Sequence, residues 1–117
     1  MNNTDPFAAM SDQRILSLDE LFNIRDAATY LVRVEGDSME GAGIFSGDLL
    51  VVSKALEPVR GNIIIAILNN DPLCKRLDFV GSMPVLRSEN PHYGSRHILE
   101  GDDFSVWGVV THSIRQH

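Results

Sequence analysis

One of the two lysines in this chain lies where its charge would be costly. In the strand-like run 73–79, alternation places Lys75 on the same face as Leu77 and Phe79. An ammonium group among apolar side chains loses hydration, so we expect the pKa of Lys75 to fall and a neutral amine to become accessible. The alternative is that the four-carbon stem carries the charge out to water. The other lysine, Lys54, follows a strand and is expected at the surface.

Ser38 is the residue on which such an amine could act. It lies in the sequence GDSM (36–39), just beyond a predicted strand end, where glycines permit a tight turn with exposed amides. A serine hydroxyl is a weak nucleophile and needs an adjacent base, and a lysine of lowered pKa can serve as that base. The alternative is an ordinary turn serine, which is common in glycine-rich loops.

Histidine is the more usual base for a catalytic serine, and the chain contains four histidines: His92, His97, His112 and His117. Two lie in a polar loop, one near the end of the last strand and one at the terminus, so we expect all four at the surface. The Gly-x-Ser-x-Gly elbow, the HExxH motif and the glycine-rich phosphate loops are missing from the sequence. A hydrolase with a Ser–Lys pair is therefore the best remaining enzyme interpretation.

The elements that must position this pair are mostly strands. Ser17, with Glu20 three residues later, resembles a capping box that opens one short helix. We predict strands from Thr29 to about residue 35 and at 48–53, 62–68, 73–79, 83–87 and 104–114, with a hairpin turn at 69–72 and an exposed loop at 88–103. The runs 48–53 and 62–68 are continuously apolar and should lie inside the sheet. The sum is a mainly β domain with a bent, partly closed antiparallel sheet over 15–117, preceded by a flexible arm at 1–14.

Composition restricts the function classes. A formal net charge of -6 and a pI near 5.0 argue against a large basic surface for direct DNA binding. The single cysteine, Cys74, cannot form an internal disulfide, and no zinc-ligand pattern occurs, so no metal or cofactor is expected. The longest apolar run, 63–68, is too short to cross a membrane. We therefore expect a cytoplasmic protein that associates with neither DNA nor membrane directly.

Four sequence blocks occur in an order that resembles the LexA, UmuD and phage-repressor family of self-cleaving serine peptidases. The blocks are GDSM (36–39), GIFSGDLLVV (43–52), CKRL (74–77) and WGVVTH (107–112). The resemblance covers about residues 28–114, and the separation of Ser38 from Lys75 agrees with the family's pattern. The segments AATYLV (27–32) and WGVVTHSI (107–114) look closer to UmuD than to LexA, in a short or processed form.

The resemblance implies a mechanism and partners. Ser38 would give its proton to neutral Lys75 and attack a backbone carbonyl in the arm preceding the domain, forming an acyl-enzyme that water releases. The backbone amides of Ser38 and Met39 would stabilise the oxyanion. In the family, RecA filaments on single-stranded DNA prompt cleavage, and UmuD homodimers join an error-prone translesion polymerase during the SOS response.

The cleavage site departs from the family's pattern. Family members are cut at an Ala-Gly or Cys-Gly bond well upstream of the serine, and no such pair precedes Ser38. The pair Ala42-Gly43 belongs to the active-site loop instead. We therefore expect this chain to resemble the processed form or a naturally short homologue that does not cleave itself, with the Ser–Lys pair acting in trans on a partner's arm or serving only as part of a dimer scaffold. Two alternatives stay open: a non-catalytic dimerisation module that binds a polymerase, and the C-terminal domain of a LexA-like or phage repressor.

Overall fold

The protein folds around one sheet, and the computed structural model describes residues 17–117 of it. Its elements are a helix, α1 (Leu18–Phe22), and seven strands, with a single 3-10 turn at Glu40–Ala42. The strands are β1 (Thr29–Arg33), β2 (Leu49–Ser53), β3 (Ile63–Leu68), β4 (Asp71–Val80), β5 (Met83–Arg87), β6 (Arg96–His97) and β7 (Phe104–Ile114). The predicted flexible arm at 1–14 lies outside the described residues.

The seven strands form one antiparallel sheet in the order β1-β2-β7-β3-β4-β5-β6. β7 is the longest strand and bonds to both β2 and β3. Its pairing slips by one residue at Thr111 and again at Trp107, and such bulges bend a strand and increase its twist. The sheet is bent but not closed, since β1 and β6 remain its two edges. The predicted mainly β class with one short helix is confirmed.

Two apolar clusters form on opposite faces of the sheet. One cluster contains Leu50, Val52 and Ile65, and it also takes in Met39 and Ile44 from the loop between β1 and β2. The other consists of β3, β4, β5 and β7 side chains: Ile64, Ala66, Leu68, Leu77, Leu86 and Val109. β3 therefore contributes to both clusters, whereas β2 contributes Leu50 and Val52 to the first and turns the buried Val51 to the other face.

The six predicted strands agree with the structure to within two residues, and the structure corrects two predicted loops in part: one is shorter than predicted and the other, although mostly exposed, contains a short strand. The predicted turn at 69–72 is tighter: Asn69 and Asn70 adopt positive φ of 50° and 68°, the geometry of a two-residue hairpin, and β4 already begins at Asp71. Pro72 is compatible with the strand because its missing N–H faces an unpaired edge. The predicted exposed loop at 88–103 contains β6, which pairs with β5.

The helix α1 begins as the sequence predicts. The Ser17 hydroxyl accepts a hydrogen bond from the Glu20 amide at 3.1 Å, and Asn23 ends the helix in the left-handed conformation. The Phe22 ring packs edge-on against His112 of β7, with ring centroids 4.9 Å apart. Between residues 17 and 117 no helix has the length and apolarity needed to cross a membrane.

Gly108 tests the packing of β7 against β2. A methyl group at this position would lie 2.5 Å from Val52 Cγ1 and 3.1 Å from the Ser53 carbonyl oxygen. We expect Gly108→Ala to lower the free energy of unfolding by about 1–3 kcal/mol through overpacking. Urea denaturation measures the change. The matched control is Gly94→Ala, where a methyl group meets nothing within 4 Å; equal stability of the two variants would contradict the packing described.

Candidate functional site

Ser38 lies in a loop that joins β1 to β2 and is anchored at both ends. The loop is held to the core by Met39 and Ile44, both almost fully buried. Its two ends are joined by backbone hydrogen bonds between Val34 and the residues 47 and 48, at 2.8 and 2.9 Å. Ser38 itself is half-buried, at the point where the chain turns into the 3-10 segment Glu40–Ala42. The hydroxyl is therefore carried on a well-supported turn.

A buried carboxylate completes the base of this loop. Asp48 is 1% exposed and accepts hydrogen bonds from the Phe45 amide at 2.8 Å and from Arg115 Nε at 2.9 Å. The Arg115 guanidinium also donates to the Gly43 carbonyl and stacks over the Phe45 ring. The hydrogen bond from Arg115 holds the pKa of Asp48 below its usual value, so the pair stays ionised near neutral pH. The segment after β7 thus fixes the loop that carries Ser38.

The segment immediately after β5 holds the other side of the Ser38 turn. The Glu89 amide donates to the Ser38 carbonyl at 2.8 Å, and the Gly41 amide donates to the Glu89 carbonyl at 2.7 Å. Asn90 Nδ2 donates to the Asp37 carbonyl at 2.9 Å. A methyl group on Gly41 would collide with the Glu89 carbonyl oxygen, so only glycine permits this backbone approach. The turn cannot shift without breaking several of these bonds.

Lys75 reaches the same place from β4. Ser38 and Lys75 line one cavity of about 100 Å³, together with Val34, Met39 and Leu73. The Lys75 Nζ donates to Ser88 Oγ at 2.8 Å and lies 5.4 Å from the centre of the Tyr93 ring. In the described chain Lys75 makes no hydrogen bond to Ser38. The structure therefore brings the predicted pair into one cavity but directs the amine to Ser88; catalytic hydrogen bonds are often long before substrate binds.

The cavity changes the acidity of both side chains that β4 contributes to it. Desolvation lowers the pKa of Lys75, against a smaller opposing effect from the neighbouring Cys74. Burial raises the pKa of the Cys74 thiol to about 11, so the thiol stays protonated near neutral pH. A protonated thiol is a poor nucleophile. Of the two groups on β4, the lysine is the one that can exchange a proton with Ser38.

The backbone at the turn offers free hydrogen-bond donors. Neither the Ser38 nor the Met39 amide donates a hydrogen bond within residues 17–117. Adjacent free amides beside a nucleophile are the donors that an oxyanion requires. The bond between Ala42 and Gly43 lies in the 3-10 turn, where the two amides bond to Met39 and Glu40. This Ala-Gly pair is therefore part of the loop that presents Ser38, as the sequence indicates.

A groove leads away from Ser38. A second cavity of about 230 Å³ adjoins the first one and continues over Val32, Leu50 and Ile65. The two cavities share five wall residues: Val34, Glu35, Pro72, Leu73 and Cys74. The second cavity lies between the end of β1 and the start of β4. Pairing between β4 and β5 begins only at Arg76, so residues 71–75 have no strand partner on this side in the described chain. The groove is therefore apolar at its base and has an unpaired strand edge along one wall.

The sequence identified the two residues that share the cavity but missed their support. Ser88, Glu89, Asn90 and Tyr93 fall in the predicted exposed loop, and their contacts with the turn depend on pairing between residues more than 50 positions apart. In the sequence, only the asparagine and proline at 90–91, which are typical of a turn, indicate that the chain changes direction here. Three of the histidines (His92, His97 and His117) are exposed, while His112 is half-buried against Phe22.

Comparison with known proteins identifies relatives of two kinds. The sequence matches the family described as Peptidase S24-like over residues 4–111. It is 43% identical to a LexA repressor of Bordetella avium over 78% of this chain and 43% of the repressor. It is 36% identical to the protein MucA of Salmonella typhimurium over 91% of this chain and 73% of MucA. The chain thus spans less than half of that LexA repressor and about three quarters of MucA.

The lowered pKa of Lys75 has a consequence for stability. The unfolded chain binds a proton at Lys75 up to its ordinary value of 10.5, whereas the folded chain releases it at lower pH. The contribution of Lys75 to the free energy of unfolding therefore rises with pH between these two values, whereas that of Cys74, whose pKa is raised to about 11, falls above pH 9. We expect the free energy of unfolding of the unmodified chain to rise with pH relative to that of Lys75→Met, and to stay parallel to that of the control Lys54→Met. Denaturant titrations between pH 7 and 10.5 measure it; identical pH dependence in the unmodified chain and Lys75→Met would contradict the burial of this amine.

Proposed function

Because the chain belongs to the Peptidase S24-like family, we propose that it is a Ser–Lys peptidase domain in which Ser38 is the nucleophile and Lys75 the general base. The observation that carries the proposal is the shared cavity, in which a desolvated amine and a serine hydroxyl on a fixed turn face the same space. Lowering the pKa of a lysine toward working pH is what turns it into a base.

The reaction follows from the groups at the cavity. Neutral Lys75 takes the proton of Ser38 Oγ as the oxygen attacks a peptide carbonyl. The free amides of Ser38 and Met39 receive the oxyanion, a contribution of about 3 kcal/mol per donor in comparable sites. The Lys75 ammonium then returns the proton to the leaving amine. Water, activated by the same amine, hydrolyses the acyl-enzyme on Ser38.

The groove beside the cavity suits an extended peptide. The Leu77 amide donates to the Asn62 carbonyl, on the side of β4 that faces β3. Backbone groups alternate between the two sides of a strand, so the amide and carbonyl of Cys74, three residues earlier, point to the other side and face the groove. A peptide lying there could bond to these groups as an added strand. Apolar side chains of that peptide would rest on Val32, Leu50 and Ile65, which form the base of the groove. The substrate is thus a short extended segment with an apolar residue near the cleaved bond.

We propose that the domain cuts a peptide of another protein in trans. Residues 1–37 contain no Ala-Gly or Cys-Gly pair, and Ala42-Gly43 is held in a 3-10 turn that an extended-substrate groove cannot accept. The substrate in trans is the arm of a relative that carries such a pair.

The biological setting is proposed from the resemblance and the relatives. The match to MucA covers 91% of this chain and 73% of MucA, against 78% of this chain and 43% of the LexA repressor, which favours a UmuD-like role over that of a repressor. In that role the protein would act in the SOS response as a homodimeric subunit of an error-prone translesion polymerase, with RecA filaments as the signal. The net charge of -6 agrees with action through protein partners and not through direct DNA contact.

Cleavage in trans tests the peptidase. The substrate is a full-length LexA or MucA relative whose own nucleophilic serine is replaced by alanine. We expect this chain to cut it, and Ser38→Ala or Lys75→Ala to reduce the rate at least about 10³-fold, since members of a catalytic pair fail together. Lys54→Ala is the matched control and should cleave like the unmodified chain. Gel electrophoresis and mass spectrometry identify the cut.

The absence of cleavage at every pH up to 10 would overturn the peptidase proposal. At that pH even an ordinary lysine begins to lose its proton, so an unsuitable protonation state could not explain the failure. The chain would then be a non-catalytic dimerisation module, and light scattering with a polymerase partner would become the relevant measurement.

A further inference from the structure

We propose that Ser88 is a positioning residue for the Ser–Lys pair: its hydroxyl holds the amine of Lys75 in the cavity and sets the pH at which that amine works. This inference rests on the proposed function. It assigns a role to a residue at the end of β5 that neither the sequence pattern nor the peptidase motif singles out.

The contact itself is the first argument. The Lys75 Nζ donates to Ser88 Oγ at 2.8 Å, and both side chains are half-buried. No other hydrogen bond of this amine occurs within residues 17–117, and no ion pair of it does either. A side chain with four rotatable bonds needs such a partner to keep one position. Ser88 is therefore the polar group that fixes where the amine lies.

The charged groups around the cavity are engaged elsewhere. Arg76 on β4 and Glu89 after β5 pair with each other at 2.5 Å. Tyr93 donates its hydroxyl hydrogen bond to Asp37, and this bond raises the pKa of the phenol. The set also includes Glu35 in the exposed part of the wall, the protonated thiol of Cys74, and Glu40, whose charge contributes to the raised pKa of Tyr93. No carboxylate bonds to Lys75 in this part of the chain.

The Ser88 hydroxyl affects the pKa of Lys75 differently from the way a carboxylate would. A carboxylate beside Lys75 would favour the ammonium and raise its pKa, whereas a neutral hydroxyl satisfies an N–H with far less effect on charge. A neutral amine carries two N–H groups and one lone pair. If one N–H is donated to Ser88, the lone pair remains free to accept the proton of Ser38.

Ser88 also ties the base to the nucleophile. The residue that follows it donates its amide to the Ser38 carbonyl at 2.8 Å. Two hydrogen bonds therefore connect Lys75 to the Ser38 turn through the residues 88 and 89. The residue that bonds to the Lys75 amine is therefore adjacent in the chain to the residue that bonds to the Ser38 carbonyl.

Removing the hydroxyl should have two effects with opposite influence on the rate. The bond from Lys75 to Ser88 strengthens when the amine is charged, so its loss lowers the pKa of Lys75 further. Its loss also frees the amine to move, and displacement of a catalytic group by about 1 Å can reduce a rate on the order of 100-fold. The pH–rate profile should shift to lower pH while its plateau falls.

The kinetic test compares Ser88→Ala, Ser88→Thr and the surface control Ser82→Ala in the trans-cleavage reaction. We expect the plateau kcat of Ser88→Ala to fall on the order of 10- to 100-fold with little change in KM, and its apparent pKa to fall. Ser88→Thr, which keeps a hydroxyl, should restore both values toward those of the unmodified chain. A Ser88→Ala profile that matches the unmodified one, or equal losses in the alanine and threonine variants, would overturn the inference.

A second measurement is independent of peptidase activity. ¹⁵N NMR follows the titration of the Lys75 amine in the same variants, and Lys54→Arg removes the only other lysine resonance. We expect a lower midpoint in Ser88→Ala than in the unmodified chain, with Ser88→Thr close to the latter. If the unmodified chain cleaves nothing, the proposed function fails while this titration still decides the role of Ser88. An unchanged midpoint in folded Ser88→Ala shows that the hydroxyl does not act on Lys75.

Discussion

One constraint underlies the arrangement of this structure. The Lys75 amine is partly removed from water and, among the described residues, has no carboxylate beside it. Desolvation makes the ammonium form of Lys75 unfavourable, and the nearby carboxylates of Asp37 and Glu89 bond to other side chains. Stability alone would not favour this combination, because an ion pair with a carboxylate or full exposure of the lysine would cost less free energy. It becomes understandable if the amine must lose its proton near working pH.

The turn that carries Ser38, the proposed nucleophile, is fixed by the rest of the fold. Met39 and Ile44 anchor it to the core, Asp48 joins it to Arg115 after β7, and the segment after β5 bonds to its backbone. These contacts come from distant parts of the chain, so the whole sheet is needed to place one hydroxyl. β7 carries two bulges of the kind that bend a strand, and the groove lies between the end of β1 and the start of β4. The position of the candidate site therefore depends on the fold of the whole sheet.

The sequence predicted what depends on local pattern. Alternation and β-branched runs located six strands. Alternation in β4 grouped Lys75 with Leu77 and Phe79, although both Lys75 and Cys74 line the cavity. The hairpin turn was placed two residues too long because Pro72 resembles a turn residue, whereas its ring fits an unpaired edge. The support from Ser88, Glu89 and Asn90 was missed because it lies in a polar, proline-containing loop. Its contacts with residues 37–41 arise only when β5 ends beside the Ser38 turn, a relation with no local signature.

Titration of the Lys75 amine in the unmodified chain tests the central claim most directly. The ¹⁵N resonance of Lys75, assigned with the Lys54→Arg variant, is followed from pH 6 to 12 under native conditions. The account predicts a midpoint clearly below the ordinary value of 10.5 and a return to that value when the protein is unfolded in urea. A midpoint at or above 10.5 in the folded protein would show that the amine keeps its proton at working pH, and the proposed role of Lys75 as the base for Ser38 would have to be abandoned.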